Sequence, residues 1–327
     1  MTSGSAIVVS DLSRRFGDTV AVRGVSFTVE EGALFGIVGA DGAGKTTMLR
    51  MLAGVLRPSG GDAMIYGVSV ARDPEGVKTD TAYMSQRFGL YTDLTVSENI
   101  AFYADLYRVP REVRRERLDR VYAFSGLGPF QSRLAGDLSG GMKQKLSLSC
   151  ALIHQPRLLL LDEPTFGVDP ISRRDLWLII HEMVADGTTV VTSTAYLDEA
   201  ERCDRVLLLH EGRVLGLDAP RVLQDGLEGR VFEVSGGSVA MLTSVLESSP
   251  GVASVARYGD TLRVTHQSPE ALPTLRQVIE SSTHADEPTP LLRQVDPSLE
   301  DVFVDRLTRE AHSEGDGRDG EEVIARA

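Results

Sequence analysis

Gly39-Ala40-Asp41-Gly42-Ala43-Gly44-Lys45-Thr46-Thr47 is the stretch that decides the fold. It follows an apolar run, Ala33 to Val38, that is typical of a buried strand, and it opens a helical pattern. Small residues let the backbone wrap around an anion, so that N–H groups and the positive end of the next helix point at a phosphate. In this spacing Lys45 would reach the β- and γ-phosphates, and the Thr46 hydroxyl would bind Mg²⁺. The stretch therefore predicts a nucleotide site, whereas a Gly-rich turn without a ligand would not need Lys-Thr at its end.

Length and charge narrow the class of protein. With 327 residues the chain is long enough for one large domain and a smaller one. A formal net charge of -13 and the lack of a basic run that could follow a phosphate backbone argue against a nucleic-acid surface. Cys150 and Cys203 lack metal-ligand spacing, so we expect neither a zinc site nor a disulfide framework. This cysteine usage is typical of a protein in a reducing compartment. No segment has the pattern of a signal core or a bilayer span. If the protein acts at a membrane, we expect it to do so through a partner.

The N-terminal part has the pattern of an α/β domain. Strand-like runs over Ile7 to Val9, Val25 to Val29 and Leu34 to Val38 precede a short helix that Gly54 can end. Further on, Thr95 and Glu98 form a capping-box pattern, which predicts a helix from about Val96.

An arginine-rich piece, Arg108 to Arg120, follows this helix. We expect it to continue as a solvated helical face, whose charge needs no functional explanation.

A second anion-binding helix end is predicted at Ser139, Gly140 and Gly141, which precede a helical pattern over Lys143 to Ile153. Taken alone, Ser139 would be an N-cap and the glycines a turn. Because this turn precedes a strand that ends in two carboxylates, its position favours anion binding over a plain helix cap.

That strand is the apolar run Leu158 to Leu161, which ends in Asp162 and Glu163. Two carboxylates at the end of a buried strand suit a nucleotide-bound Mg²⁺. Asp162 would hold the metal, and Glu163 would accept a proton from the attacking water. Two merely solvated acids are the alternative, but they would leave the cradle and the second Gly-Gly turn unexplained.

In order and spacing, these motifs resemble the ATP-binding cassette (ABC) family from about Ile7 to Pro220. The resemblance implies an α/β P-loop NTPase cassette with a RecA-like core, an antiparallel β subdomain and a helical subdomain. By the same resemblance, Phe16 would stack on adenine, although a strand-end core aromatic is the alternative. Gln86 would link Mg²⁺ and the γ-phosphate to a membrane partner, and Asp169 matches the aspartate loop at the subunit contact.

The resemblance further implies how two cassettes work together. The turn at Ser139 to Gly141 is the signature turn, and it would face the phosphate cradle of a second cassette, so that two cassettes enclose two ATP molecules. Phosphoryl transfer to water needs charge-stabilising donors on several sides, and the cradle supplies only one of them. We therefore expect dimerisation that depends on ATP.

Two residues depart from the family pattern. Met142 stands where glutamine is commonest in the signature, which resembles a subset of exporter cassettes. Thr192 to Ala200 matches the switch segment, except that Ala195 takes the position of the histidine.

Three other histidines, His154, His181 and His210, are out of register with this position and are expected at the surface or at helix ends. Losing one transition-state contact costs roughly 3 kcal/mol, so hydrolysis would slow while binding persists. We expect weak turnover at this chain's own site, and a heterodimer with a competent partner cassette.

The domain prediction is an ABC nucleotide-binding domain over 1–225, a small α+β accessory domain over 226–308 and an acidic, disordered tail over 309–327. Within the accessory domain, strand-like patterns cover Arg230 to Val234 and Thr261 to Val264, and helical patterns cover Ser238 to Leu246 and Glu270 to Ile279. Its end, Pro297 to Val304, together with Gly89 to Ile100, resembles cassettes of drug, antibiotic and lipid exporters. The domain would either stabilise the cassette dimer or regulate it.

The sequence as a whole predicts the ATPase subunit of an exporter, on the cytoplasmic face of the cell membrane beneath separately encoded transmembrane permease chains. Gln86 to Tyr107 would receive the coupling contact. Leu90, Tyr91 and Leu94 are the apolar residues predicted there, unless they only pack inside the helical subdomain.

Three other classes of protein are alternatives. A non-hydrolytic ATP-gated scaffold is favoured by Ala195 and opposed by Glu163. A soluble cassette that acts on ribosomes or DNA would usually carry two cassettes or a basic linker in one chain. A generic nucleotide kinase leaves the signature turn and the aspartate loop unexplained.

Overall fold

The structure is a computed structural model that describes residues 4–86, 89–282 and 290–310. The chain divides into two compact units, Met1–Val214 and Leu215–Ala327. Among the described residues, no helix has both the length and the apolar character needed to cross a bilayer.

The strands up to Asp218 are β1 (Ser5–Phe16), β2 (Thr19–Glu30), β3 (Leu34–Val38), β4 (Gly60–Ile65), β5 (Val68–Ser69), β6 (Thr81–Met84), β7 (Leu158–Asp162), β8 (Thr189–Thr194), β9 (Arg205–His210) and β10 (Arg213–Asp218). The helices of the same part are α1 (Lys45–Leu52), α2 (Pro74–Val77), α3 (Val96–Leu106), α4 (Arg111–Ser125), α5 (Gly140–Leu152), α6 (Pro170–Ala185) and α7 (Leu197–Ala200). These elements confirm the predicted α/β fold class.

A six-stranded sheet forms the core, in the order β10-β9-β3-β8-β7-β6. Strands β9, β3, β8, β7 and β6 pair in parallel. Every residue of β3 and β7 is buried, as expected for apolar runs covered on both faces. Because parallel strands end at the same edge, the segments after β3, β6, β7 and β8 meet there. This edge carries the cradle, Gln86, Glu163 and Ala195.

A second sheet, in the order β2-β1-β4-β5, is the predicted antiparallel subdomain. The strands expected at Ile7 to Val9 and Val25 to Val29 are confirmed, but each belongs to a longer strand of 12 residues. Register shifts interrupt the pairing of β1 and β2. These irregularities break the apolar alternation, which is why the sequence indicates only part of each strand.

The predicted capping box is present in the helical subdomain. The Thr95 side chain accepts from the Glu98 N–H, and the Glu98 side chain accepts from the Thr95 N–H, at the start of α3. The expected continuation of this helix through Arg108 is wrong. Helix α3 ends at Leu106, Arg108 adopts a left-handed conformation with φ 53°, and α4 starts after Pro110. Proline lacks the N–H for a continuing helix and disfavours helical geometry in the residue before it. The later part of the piece is helical and largely solvated, as predicted.

Helix α6 carries Trp177, the one tryptophan of the sequence. Its side chain is buried, and the guanidinium of Arg202, just after α7, lies 5.6 Å from its ring centroid. The indole therefore reports on the contact between α6 and the segment that follows β8.

The second unit contains α8 (Pro220–Asp225), β11 (Val231–Ser235), α9 (Val239–Glu247), β12 (Val252–Tyr258), β13 (Thr261–His266), α10 (Leu272–Ser282), β14 (Leu291–Gln294) and a last helix, α11, over 299–310. The order β12-β13-β11-β14 with helices after β11 and β13 is a split βαβ arrangement. Both predicted strands and both predicted helices are present, and the sequence did not indicate β12 and β14. Of the expected tail over 309–327, residues 309 and 310 lie in α11 and the rest lie outside the described residues.

The segment Pro297 to Val304 begins α11 with a capping box. The Ser298 N–H and hydroxyl each donate to Asp301 Oδ2 at 2.8 Å, and the Asp301 N–H donates back to Ser298 Oγ at 3.3 Å. Arg263 of β13 donates to the same carboxylate oxygen at 3.3 Å. The segment Pro297 to Val304 is thus fixed to a central strand of its own unit.

Candidate nucleotide site

The loop after β3 has the backbone that a phosphate cradle needs. Gly42 and Gly44 have φ of 82° and 107°, in the left-handed region. A Cβ at Gly39 would lie 2.1 Å from the carbonyl oxygen of Leu209, and one at Gly44 would lie 2.4 Å from that of Ala21. The chain is therefore too close to its neighbours for any side chain at these positions.

Lys45, the first residue of α1, directs its ammonium group back into the loop. Only 4% of the residue is exposed, and Nζ donates to the carbonyl oxygens of Gly39 at 2.8 Å and Ala40 at 3.1 Å. Its third partner is Glu163 Oε1, at 3.0 Å. A buried ammonium needs such partners, and these fix its charge where phosphates would lie.

The Asp162 carboxylate accepts hydrogen bonds from two neighbouring strands and one helix. Thr46 Oγ1 and Ser193 Oγ donate to Oδ1 at 3.0 and 2.9 Å, and the Tyr83 hydroxyl donates to Oδ2 at 3.0 Å. Burial and the nearby Asp162 charge raise the pKa of Tyr83 to about 12, so its hydroxyl remains a donor at neutral pH.

The donor set fits Mg²⁺. A threonine hydroxyl beside one carboxylate supplies two hard oxygen ligands, and Mg²⁺ takes its other ligands from phosphates and water. Thr46 and Asp162 are thus the residues that could hold the ion.

Glu163 has an unusual backbone and a crowded carboxylate. Its φ is 50°, which is strained for a residue with a side chain, and its N–H donates to Ser193 Oγ at 3.0 Å. Gln86 Nε2 donates to Oε2 at 2.8 Å, while Oε1 faces Lys45. Residues with left-handed strain are concentrated at functional sites, which agrees with a chemical role for this carboxylate.

A cavity of about 330 Å³ lies between these groups. Its lining residues are Ala21, Asp41, Gly42, Ala43, Gly44, Lys45, Thr46, Thr47, Gln86, Glu163 and Phe166. The fold thus brings the predicted cradle, Gln86 and Glu163 to one cavity, with Asp162 hydrogen-bonded to Thr46 behind it.

The signature turn and the aspartate loop meet each other instead. Ser139 Oγ accepts from the N–H of Met142 at 3.3 Å, which makes it the N-cap of α5. Asp169 caps α6 by accepting from the backbone of Ile171 and Ser172, and these hydrogen bonds lower the pKa of Asp169. A Cβ at Gly141 would lie 2.3 Å from Ser172 Oγ, so the two helix ends pack closely.

Ser139, Gly140 and Asp169 are exposed and do not line the cavity of their own chain. The single chain therefore presents two separate sets of predicted nucleotide-binding residues.

Phe16, at the end of β1, is 47% exposed, and its ring lies 4.6 Å from the Arg14 guanidinium carbon. It does not line the cavity, and its stacking on adenine stays a prediction. Ala195 is exposed directly after β8.

The three histidines lie apart from Ala195 in the secondary structure. His154 follows the end of α5 and stacks on Tyr107 with ring centroids 3.8 Å apart. His181 is exposed on α6, and His210 ends β9. His154 is at a helix end as expected, but it is half-buried rather than at the surface.

Tyr83, Ser193 and Phe166 are site residues that the motifs did not indicate. Ser193 is directly paired with Asp162 in the register of β7 and β8, and Tyr83 lies in β6 on the other side of β7. Strand order brings them together, and only the short spacing from Tyr83 to Gln86 offers a signal in the sequence.

Comparisons with known proteins agree with this geometry. Residues 22–166 match the family described as ABC transporter. The chain is 41% identical to the probable multidrug ABC transporter ATP-binding protein YbhF of Escherichia coli K12, over 98% of this chain and 57% of that protein. It thus spans little more than half the length of that relative.

Two other relatives match nearly end to end. The Nod factor export ATP-binding protein I of Rhizobium sp. strain N33 is 34% identical, over 93% of this chain and 97% of that protein. The daunorubicin/doxorubicin resistance ATP-binding protein DrrA of Streptomyces peucetius is also 34% identical, over 94% and 97%.

Solved structures show the same architecture. The ATP-binding subunit of an ABC transporter superposes with a TM-score of 0.62 at 31% identity, over 68% of this chain and 92% of that one. The cassette MJ0796, in a dimeric post-hydrolysis state bound to ADP and Pi, gives 0.60 at 25% identity, over 65% and 98%. From its motifs, its cavity and these relatives, the chain belongs to the family of ABC transporter ATP-binding proteins.

Proposed function

We propose that this chain binds Mg²⁺–ATP in the cavity beside Lys45 and hydrolyses it as the ATPase subunit of an exporter. The observation that carries the proposal is the convergence of Lys45 and Gln86 on the two oxygens of Glu163. A base, a cation and an amide thus surround one cavity lined by a glycine cradle.

Each side chain has a role in this proposal. The cradle N–H groups and Lys45 would bind the phosphates, Thr46 and Asp162 would hold Mg²⁺, and Glu163 would accept the proton of the attacking water. Bound Mg²⁺ would neutralise charge on the β- and γ-phosphate oxygens. Gln86, which already donates to Glu163 Oε2, would orient the water beside that carboxylate.

A second cassette completes the site in this proposal. The exposure of Ser139, Gly140 and Asp169 outside the chain's own cavity supports their use on a partner's nucleotide. Donors on several sides of the γ-phosphate favour the transition state more than one side can, so ATP would stabilise the dimer and its hydrolysis would release it.

The chain's own site would hydrolyse ATP slowly. Ala195 supplies a methyl group at the edge where the family's switch histidine would supply a polar contact. Losing one such donor costs roughly 3 kcal/mol of transition-state stabilisation. This favours a heterodimer in which a second cassette provides the faster site.

The relatives support export as the direction of transport, since their names refer to multidrug transport, Nod factor export and drug resistance. The partners would be transmembrane permease subunits, and the chain would lie on the cytoplasmic face of the membrane. Tyr91, which is 50% exposed at the edge of the helical subdomain, is the proposed contact for these subunits.

Turnover and nucleotide binding by the purified full chain test the proposal. We expect ATP binding, slow hydrolysis by the chain alone, and faster hydrolysis when a partner cassette is added. Glu163→Gln should abolish the chain's own hydrolysis and keep binding, whereas Glu112→Gln, at an exposed position of helix α4, should change neither. Fast hydrolysis by the solitary chain would refute the proposal that its own site is impaired.

One observation favours a second candidate, a non-hydrolytic scaffold, because Ala195 removes a polar contact and leaves binding groups intact. Transport assays with Glu163→Gln separate the two. A scaffold would transport as well with the variant as with the wild type.

A further inference from the structure

Glu199 is a buried carboxylate that the proposed chemistry does not use. It lies on α7, four residues after Ala195, and only 1% of it is exposed. Burying a carboxylate costs free energy unless it is hydrogen-bonded or paired. Its partners are therefore informative about why it is there.

Three segments of the site meet at this carboxylate. Thr165 Oγ1 donates to Oε2 at 2.9 Å, and Thr194 Oγ1 donates to the same oxygen at 2.8 Å. Arg173 Nε lies 3.5 Å from the other oxygen, Oε1. The partners come from β8, from α6 and from the turn between β7 and α6, so the contacts do not serve to stabilise α7 alone.

These partners lie close in sequence to Glu163, Ala195 and Asp169. Thr165 is two residues after Glu163, and Thr194 immediately precedes Ala195. Arg173 lies in the first turn of α6, and its N–H donates to the carbonyl oxygen of Asp169, the N-cap.

Residue 195 is held from both sides by the same group of residues. Thr194 is bound to Glu199, and the N–H of Tyr196 donates to Thr194 Oγ1 at 3.0 Å. The Arg173 guanidinium carbon lies 4.6 Å from the centroid of the Tyr196 ring. The backbone at 195 is thus fixed even though its side chain is a methyl group.

The ion pair is the looser part of this network. Among the described residues, neither Arg173 Nε nor Glu199 Oε1 has a hydrogen-bond partner, although both atoms are buried. Each unsatisfied buried group in a folded protein calls for an explanation. With Oε2 bound to two hydroxyls and Oε1 facing Arg173, the carboxylate links the segments after β7 and β8 to the start of α6.

We propose that Glu199 is a positioning residue for ATP hydrolysis, which fixes the segment around Ala195 and the start of α6 relative to Glu163. It touches no nucleotide and acts through Thr165, Thr194 and Arg173. The inference rests on the proposed ATPase function and adds a residue to it.

The test compares Glu199→Gln with Glu233→Gln in the 327-residue chain. Glu233 is also a shielded glutamate with arginine partners, Arg293 at 2.6 Å and Arg263 at 3.8 Å, but it lies in the second unit. Both variants remove one charge from an ion-paired glutamate. ATP turnover, affinity for a fluorescent ATP analogue and melting temperature are measured for each.

We expect Glu199→Gln to lower kcat roughly ten- to a hundredfold, as misplacement of catalytic groups does, with KM and analogue affinity nearly unchanged. Glu233→Gln should lower the melting temperature and leave kcat at the wild-type value. A folded Glu199→Gln chain with wild-type kcat overturns the proposal, and so does a kcat loss matched by Glu233→Gln.

A second pair of variants keeps the test decisive if Glu199→Gln does not fold. Thr165→Val and Thr194→Val remove one hydroxyl each at nearly constant volume, and Thr243→Val, on α9, is their control. Each of the first two should lower kcat without changing analogue affinity. Wild-type kcat in both overturns the proposal.

The Ala195→His background separates this inference from the proposed function. If the histidine raises turnover, the gain should be lost when Glu199→Gln or Thr194→Val is added, and a gain that persists overturns the positioning role. A wild-type chain that neither binds nor hydrolyses ATP with a partner cassette would instead overturn the proposed function itself.

Discussion

Lys45 and Glu163 form an ion pair of 3.0 Å, with 4% and 8% of their side chains exposed. The pair joins the start of α1 to the residue after β7, across the cavity. Removing one member leaves the other charge buried, which costs more than the pair itself contributes.

Lys45→Ala should therefore lose nucleotide affinity and also lose about 3 kcal/mol of unfolding free energy. Adding Glu163→Gln should restore much of the stability, because no unpaired charge remains, while nucleotide binding stays lost. Urea unfolding and analogue titration measure both effects. Lys145→Ala, which breaks a half-exposed pair with Asp175, is the control and should cost about 1 kcal/mol or less. Equal stability of Lys45→Ala and the double variant would contradict the buried-pair interpretation.

Tyr83→Phe should weaken the use of Mg²⁺. The hydroxyl holds Asp162 Oδ2, and residues that orient a ligand typically change metal affinity or activity roughly ten- to a hundredfold. Turnover measured against Mg²⁺ concentration should require more metal in the variant. Tyr66→Phe removes a tyrosine hydroxyl bonded to Arg157 and Thr189 and should leave the Mg²⁺ dependence unchanged. An unaltered Mg²⁺ midpoint in Tyr83→Phe would exclude this role.

Ala195→His should raise turnover by the chain's own site. One restored transition-state donor contributes roughly 3 kcal/mol, or about a hundredfold in kcat. Ala195→Phe adds a ring of similar size without a donor, and it should give no gain. Steady-state ATPase assays compare the three chains at saturating ATP. A histidine variant no faster than the phenylalanine variant would mean that the alanine is not what limits turnover.

Tyr91→Glu should weaken binding to the permease chains and spare nucleotide binding. The ring packs edge-on against Phe102 at 4.7 Å, while the Tyr91 backbone is bonded to Asn99, so the substitution changes the surface more than the fold. Co-purification with the transmembrane chains measures the effect. Leu291→Glu, 63% exposed in the second unit, is the control. Undiminished co-purification of Tyr91→Glu would show that the docking surface lies elsewhere.

His154 should make the chain less stable in mild acid. Burial, with a smaller contribution from Arg117, lowers the pKa of His154 from 6.5 to about 4. Between these values the unfolded chain binds a proton that the folded chain does not, so the stabilisation present above pH 6.5 is lost as the pH falls towards 4. The difference corresponds to about 3 kcal/mol.

His154→Phe keeps the stacking on Tyr107 and removes the proton. Its urea midpoint should fall less than that of the wild type between pH 7.5 and 4.5, and the exposed His181→Phe should behave like the wild type. Parallel curves for wild type and His154→Phe would contradict a buried, neutral imidazole.

Local chemistry made much of this structure predictable. The cradle, the capping box at Thr95 and the strand that ends at Asp162 each depend on residues close together in sequence. The α/β class followed from them, and so did the meeting of the cradle with Gln86 and Glu163 at one cavity, because parallel strands end at one edge.

The remainder depends on partners distant in sequence. The pairing of Ser193 with Asp162 requires the order of the strands, and the contacts of Glu199 require three separate segments. The break between α3 and α4 combines the left-handed backbone of Arg108 with the conformational preference that Pro110 imposes. Strand β12 is half-buried along nearly its whole length, so it lacks the alternation that marks a strand.

The single indole of Trp177 gives the chain a built-in optical signal. Because no second tryptophan contributes, any shift in the emission spectrum upon mixing with ATP arises at α6 and its contact with Arg202. Stopped-flow recordings on the unlabelled polypeptide can therefore time the rearrangement of this helix directly, separately from the release of phosphate.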